Sequence, residues 1–175
     1  MAKVITFSRT FPAYHPKKGQ PTYFVEKFLT AINDKFFLSL NHGYTPKYHT
    51  IRPGKRFKYG EYFSPRFWGN NINEKSGRSG PYHSDQIIIA QDIKIEGVFD
   101  FKMDLEGTFF LNGNWIDVTS SEIPTNDGFE CSDDMLGWFP YGKQEFNGQV
   151  ICWDKNTCEY LSNYHNFLKV RDKVM

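Results

Sequence analysis

Cysteine is scarce, with three in 175 residues, and an odd, sparse count supplies no framework of disulfides. Cys131, Cys152 and Cys158 therefore read as reduced thiols in a cytosolic setting. A zinc site drawn from Cys152, Cys158 and His165 matches no finger or ribbon spacing, so neither a metal nor a cofactor is expected. Long apolar runs are missing as well. The longest purely aliphatic stretch is Ile87-Ile88-Ile89-Ala90, far short of the roughly 20 apolar residues a membrane-spanning helix needs. Residues 1–16 carry no apolar segment of the secretory type. The expectation is a soluble, cytoplasmic protein without a membrane partner. Repeats and low-complexity stretches are also lacking, and the formal net charge of +1 singles out no partner.

Aromatic residues, by contrast, make up 18% of the chain, which predicts a ring-rich core and rings left over for recognition. Charge is segregated along the sequence. Lys47 to Arg78 holds eight Lys and Arg against Glu61 and Glu74, whereas Glu96 to Asp134 holds ten acids against Lys102 alone. Such a pattern either builds one positive face that attracts phosphate or pairs opposite signs across a sheet.

The length suits one domain, taken as residues 1–175 with a core at about 47–153. Val4-Ile5-Thr6-Phe7 reads as a strand, and the Pro-rich stretch 11–21 as a loop. Thr22 is the candidate N-cap of a helix to about Phe36, with Phe24, Val25, Phe28, Leu29, Ile32 and Phe36 as its apolar stripe and Glu26, Lys27 and Asp34 off it. Residues 70–80 read as an exposed loop, and Gln86 to Phe101 as the strongest strand region. Asn112-Gly113 marks a hairpin between Phe109–Leu111 and Trp115–Val118, because both residues tolerate positive φ. Ser132 caps a short acidic helix, 133–139, with Met135, Leu136 and Phe139 inward. Gln149 to Trp153 closes the sheet, and the tail from Cys158 is amphipathic enough for a terminal helix. Many short strands with few helices predict an α+β protein built on a small, partly open β-barrel.

The most informative segment runs from Lys47 to Glu61, where cations alternate with rings and turns. Lys and Arg neutralise phosphate, and rings stack on bases. Here Lys47-x-x-Thr50-Ile51-Arg52, then Lys58-Tyr59-Gly60-Glu61, resembles the signature of the ASCH domains, relatives of the PUA domains. Asp127-Gly128-Phe129, followed by the acidic helix ending in Trp138-Phe139, is similar to that family's second element. The resemblance covers about Lys47 to Trp153. It implies a PUA-like barrel whose cleft holds the first motif, and RNA, single-stranded nucleic acid or a modified nucleoside as partner. Some members are RNA-binding modules and some ribonucleases, while a subset hydrolyses acylated cytidine nucleosides. The working residues of that subset fall here on Lys47, Thr50 and Asp127. Where the subset usually carries Glu, this chain carries the shorter Asp.

The chemistry can also be read from the residues. A lysine becomes a general base when burial or neighbouring cations lower its pKa. Lys47 would then take a proton from Thr50 or a water, and a protonated Asp127 would give one to a leaving amine. In a binding module the contacts fall instead to Lys47, Arg52, Lys55 and Arg56, with Trp68 and Tyr82 as stacking rings. On a flat strand Lys47 and Thr50 face opposite sides, so their convergence requires the backbone to turn between them. Alternation sets His49 on the face away from Thr50. His15 lies in the Pro-rich loop within reach of basic neighbours.

Overall fold

The computed structural model describes residues 2–33, 43–139 and 143–174, the last ten of these by backbone alone. In chain order the elements are β1 (Lys3–Thr6), α1 (Phe24–Ile32), β2 (His49–Pro53), β3 (Tyr62–Trp68), β4 (Gln86–Ile88), β5 (Ile93–Lys94), β6 (Gly97–Met103), β7 (Phe109–Leu111), β8 (Asn114–Ile116), α2 (Ile123–Asn126), α3 (Ser132–Trp138), β9 (Phe146–Cys152) and α4 (Lys155–Val174). The chain is α+β, as expected. Its strands do not close into a barrel among the described residues. They form two open sheets: β1-β3-β4, with β5 also on β3, and the antiparallel β2-β9-β6-β7-β8. No strand pairing joins the two among the described residues; side chains do.

The second sheet is ordered by hydrophobicity. β9 lies between β2 and β6, and Val150, Ile151 and Cys152 are fully buried, the continuous apolar run of a strand covered on both faces. β6 alternates buried and outward residues, the period of a half-covered strand. The hairpin joining β7 to β8 forms at Asn112-Gly113, both with positive φ (50° and 78°), the two-residue turn that matches strand twist.

The first sheet departs from expectation. The run from Gln86 to Phe101 breaks into β4, β5 and β6, and Ile87 and Ile88 lie exposed. β4 holds three residues and bonds only to β3, so β-branched residues formed a strand without a layer to cover them. β1 pairs with β3 in parallel, tying the start of the chain to a strand across a long crossover. The loop at 70–80 is exposed.

Side chains join the sheets. Trp153 packs on Phe7, Phe28 and Phe63 at ring-centroid distances of 6.2, 5.3 and 5.5 Å, and the buried apolar residues of both sheets and of α1, α2, α3 and α4 form one cluster. α1 buries Phe24 and Phe28, but also Lys27, which the helical period had set off the stripe. The Lys27 ammonium donates to the Gly128 carbonyl at 2.7 Å, which offsets part of the cost of burying it. The N-cap position of α1 falls on Tyr23, at φ 56°, rather than on Thr22, although the Thr22 hydroxyl accepts from the Phe24 N–H at 3.3 Å. The helix stops at Ile32, with Asn33 in extended backbone, short of the expected end near Phe36; residues 34–42 lie outside the described residues.

The Pro-rich loop docks on α3. His15 Nδ1 accepts from the Lys17 N–H at 2.9 Å, so Nε2 carries the proton and donates to the Asp134 carbonyl at 2.8 Å. Lys17 adds ion pairs to Asp134 (2.7 Å) and Glu130 (3.1 Å), and the Tyr14 hydroxyl donates to the Trp138 carbonyl. Asp133 and Asp134 stand in the first turn of α3, where the helix dipole favours them. No described helix is long and apolar enough to cross a membrane. Among the described residues no three metal-binding side chains gather. All three cysteines are free thiols, and the hydrogen bond with the Cys158 side chain, together with burial, raises the Cys152 thiol far above its ordinary pKa.

Candidate functional site

Lys47 lies just before β2, in a segment without regular structure. Its N–H donates to the Lys27 carbonyl at 3.0 Å, and the Tyr48 N–H to the Asn126 carbonyl at 2.8 Å. The chain is thus stitched to α1 and α2 before the strand begins. This removes the difficulty of a flat strand: the extended register starts only at His49, and Lys47 and Thr50 are left free to face one space.

Asp127 is delivered from the other side by α2. The short helix ends there, with the Asp127 and Gly128 N–H groups donating to the Ile123 and Thr125 carbonyls. Gly128 follows at φ 89°, and a Cβ there would stand 3.1 Å from both Lys47 Cδ and Phe24 Cδ1. Only glycine tolerates that conformation together with that approach. The sharp turn aims the Asp127 carboxylate at Lys47 and at the Ile51 N–H, which donates to it at 3.3 Å.

Lys47 and Asp127 form a buried ion pair, and the same ammonium donates to the Asp127 carbonyl. The ammonium also lies 4.8 Å from the Phe24 ring centroid and 5.8 Å from that of Phe7, a cation–π environment that replaces part of its lost hydration. Burial lowers the Lys47 pKa to about 8, opposed by Asp127. Burial likewise raises Asp127, opposed by Lys47 and Arg52. The pair therefore holds its charges less firmly than the same groups in water.

Arg52 completes the cluster. Its Nη2 donates to the Thr6 carbonyl at 2.6 Å, linking β2 to β1, and its guanidinium carbon lies 5.9 Å from the Phe7 ring centroid. Its buried Nε has no hydrogen-bond partner among the described residues. Lys47, Thr50, Arg52 and Asp127 together line a hollow of about 330 Å³, with Phe24 and Trp138 among its aromatic walls. All three proposed catalytic positions thus meet at one place. The hydrogen bonds of the Lys47 ammonium go to Asp127 rather than to Thr50.

The other candidates separate. Lys55 is exposed, pairs with Asp100 at 2.8 Å and borders a different hollow. Arg56 is exposed, its guanidinium 5.9 Å from the Phe57 ring centroid. Neither lines the Lys47 hollow, because the turn after Pro53 carries both away. Both Lys47 and Lys55 meet acids of the 96–134 segment, so the segregated charges serve pairing across the fold. Trp68 lines a second hollow that shares Arg52, with the Tyr82 ring 5.4 Å from its own. His49 is fully buried on the other face, and burial pushes its imidazole well below the ordinary value, so it is a packed neutral ring. His15 holds the loop in place instead of lining the hollow. The His165 side chain lies outside the described residues.

Sequence reasoning missed Ser8 and Tyr14, which line the hollow. No local signal marks them; Ser8 follows the end of β1, and Tyr14 arrives because the Pro-rich loop docks on α3. Trp138 carried a signal, since it ends the acidic helix in the stretch that resembles an ASCH element. Family models, curated proteins and solved structures were all compared with this chain, and none matches.

Proposed function

We propose that this chain binds a nucleoside or nucleotide unit of RNA or single-stranded nucleic acid in the Lys47–Asp127 hollow. The observation that carries this reading is the convergence of Lys47, Arg52 and Asp127 on one ring-walled space of about 330 Å³. That volume is at the small end of ligand sites and suits one nucleoside rather than a length of duplex. The rings supply faces for a base, Asp127 an acceptor for an exocyclic amine, and Arg52 and Lys47 donors for phosphate or carbonyl oxygens. The ASCH-like motifs point to the same chemistry, and the two sheets read as an opened relative of the PUA-like barrel. Free thiols fit a cytoplasmic setting.

The test is titration of nucleosides, nucleotides and short RNA at low salt. Alanine at Lys47 and Arg52 together is expected to weaken binding and flatten its salt dependence. If no oligonucleotide or nucleoside binds at low salt, the reading is lost. An anion held by the Lys47 ammonium is released as pH rises through about 8.

A second reading, hydrolysis of an acylated nucleoside or of RNA, is favoured by the lysine lowered to about 8 beside Thr50 in the same hollow. Neutral Lys47 accepts a proton from Thr50 or a water, and Asp127, which this route requires to hold a proton of its own, donates it to the leaving group. This reading expects a rate that increases through the same pH at which anion binding declines, and loss of turnover in Thr50→Val. Absence of product from acylated cytidine and from labelled RNA removes it.

A further inference from the structure

We infer that the ligand continues past Arg52 into a second hollow, so that the site takes at least a dinucleotide, its linking phosphate at Arg52 and its outer base against Trp68. This rests on the nucleotide-binding reading above.

The second hollow measures about 470 Å³ and is bounded by the strand end from Thr6 to Thr10, by Arg52 and Trp68, and by the loop at Gly80-Pro81. Ser8 and Arg52 line both hollows, so one guanidinium stands in the wall between them. The two spaces differ in charge. The inner one sets Asp127 against Lys47 and Arg52, while the outer one is lined by Arg9 and Arg52 with no carboxylate. An anion is therefore favoured at the outer side of Arg52.

Arg52 has capacity there. A guanidinium carries five N–H donors; one is taken by the Thr6 carbonyl, and the buried Nε finds no partner among the described residues. Buried donors are rarely left unmade, and a phosphate oxygen in the shared wall supplies the acceptor while keeping the Thr6 bond intact. Arg9 stands at the rim, its guanidinium carbon 5.3 Å from the Phe67 ring centroid.

The rings beyond Arg52 form a ledge. Trp68 ends β3, and Tyr82 follows Pro81 with its ring 5.4 Å away, tilted by 49°. Tyr82 is 87% exposed and is held at φ 67°, a conformation seldom adopted by bulky residues. A ring kept in solvent at a conformational cost is not explained by core packing, and such strain gathers at binding sites. Bases stack on exposed rings whatever their identity. The arrangement thus reads base, phosphate, base: the inner rings, then Arg52, then Trp68.

The experiment measures competition against a fluorescent RNA hexanucleotide by nucleoside 3′-monophosphates and by the dinucleotides ApA and UpU, in wild type, Trp68→Ala and Trp68→Phe. Wild type is expected to bind a dinucleotide at least about tenfold more tightly than the matching monophosphate. In Trp68→Ala that ratio falls towards one, and Trp68→Phe restores most of it, which a misfolded protein would not do. A wild-type ratio near one, with the monophosphate still bound, overturns the second hollow and leaves the first intact. A ratio that survives Trp68→Ala overturns it too. If neither ligand class competes, the reading on which it rests falls with it.

Discussion

Two lysine–aspartate pairs join the basic segment of this chain to the acidic one, and they differ in almost everything but chemistry. Lys47 and Asp127 have side-chain exposures of 1% and 6%; Lys55 and Asp100 have 66% and 56%. In the exposed pair water already solvates both ions, so their contact at 2.8 Å adds little. In the buried pair water is gone, and each ion depends on the other, on backbone groups and on ring faces. Sequence spacing could not separate them. What separates them is the turn after Pro53, which sends Lys55 outward, and the sharp bend at Gly128, which brings Asp127 in.

The contrast can be broken by substitution. Asp127→Ala strands the Lys47 ammonium in the core and is expected to cost about 3–5 kcal/mol in denaturant unfolding; a loss no larger than that of Asp100→Ala would remove the distinction. Gly128→Ala forces a side chain into left-handed backbone against Lys47 and Phe24, with an expected loss of about 1–3 kcal/mol.

The pH dependence is smaller per pH unit. Between about 8 and 10.5 the folded chain has released the Lys47 proton while the unfolded chain still holds it. Raising pH through that window therefore favours the folded state, by at most about 1.4 kcal/mol per pH unit. Unfolding midpoints in wild type and Lys47→Met check this, since the variant lacks the rise. Asp127, raised by burial, has the opposite sign: its contribution is fullest at acid pH and is lost as pH climbs above 3.8. At the bottom of the scale, Asp100→Ala is expected to change stability by about 0.5 kcal/mol or less.

Local chemistry was legible in the sequence where local chemistry decides. Asn112-Gly113 forms its hairpin because two residues alone set that backbone; the acidic helix also forms, but with Ser132 as its first residue, Cys131 at the N-cap and no side-chain cap. The meeting of Lys47, Thr50, Arg52 and Asp127 was legible through the family resemblance, and the stitching of Lys47 to α1 gives its physical cause. Three features were not legible. Lys27 follows the polar period of α1 yet is buried, because Gly128, far along the chain, offers it a carbonyl. Ile87 and Ile88 have strand propensity yet remain exposed, because propensity does not say which strand lies at an edge. The barrel expected from many short strands is replaced by two open sheets, since closure depends on strand partners that no local pattern encodes.

The bond from Arg52 to the Thr6 carbonyl spans 46 residues, and the Lys47–Asp127 contact spans 80. Neither can form while the chain is short. On a ribosome, β1 emerges early and has to wait for β3 before its carbonyls are fixed, and the arginine waits with it. The cleft is consequently a late product of folding, with loop closure to be overcome before any reward arrives. A slowly maturing or truncated chain would acquire secondary structure well before the Lys47–Asp127 hollow took shape.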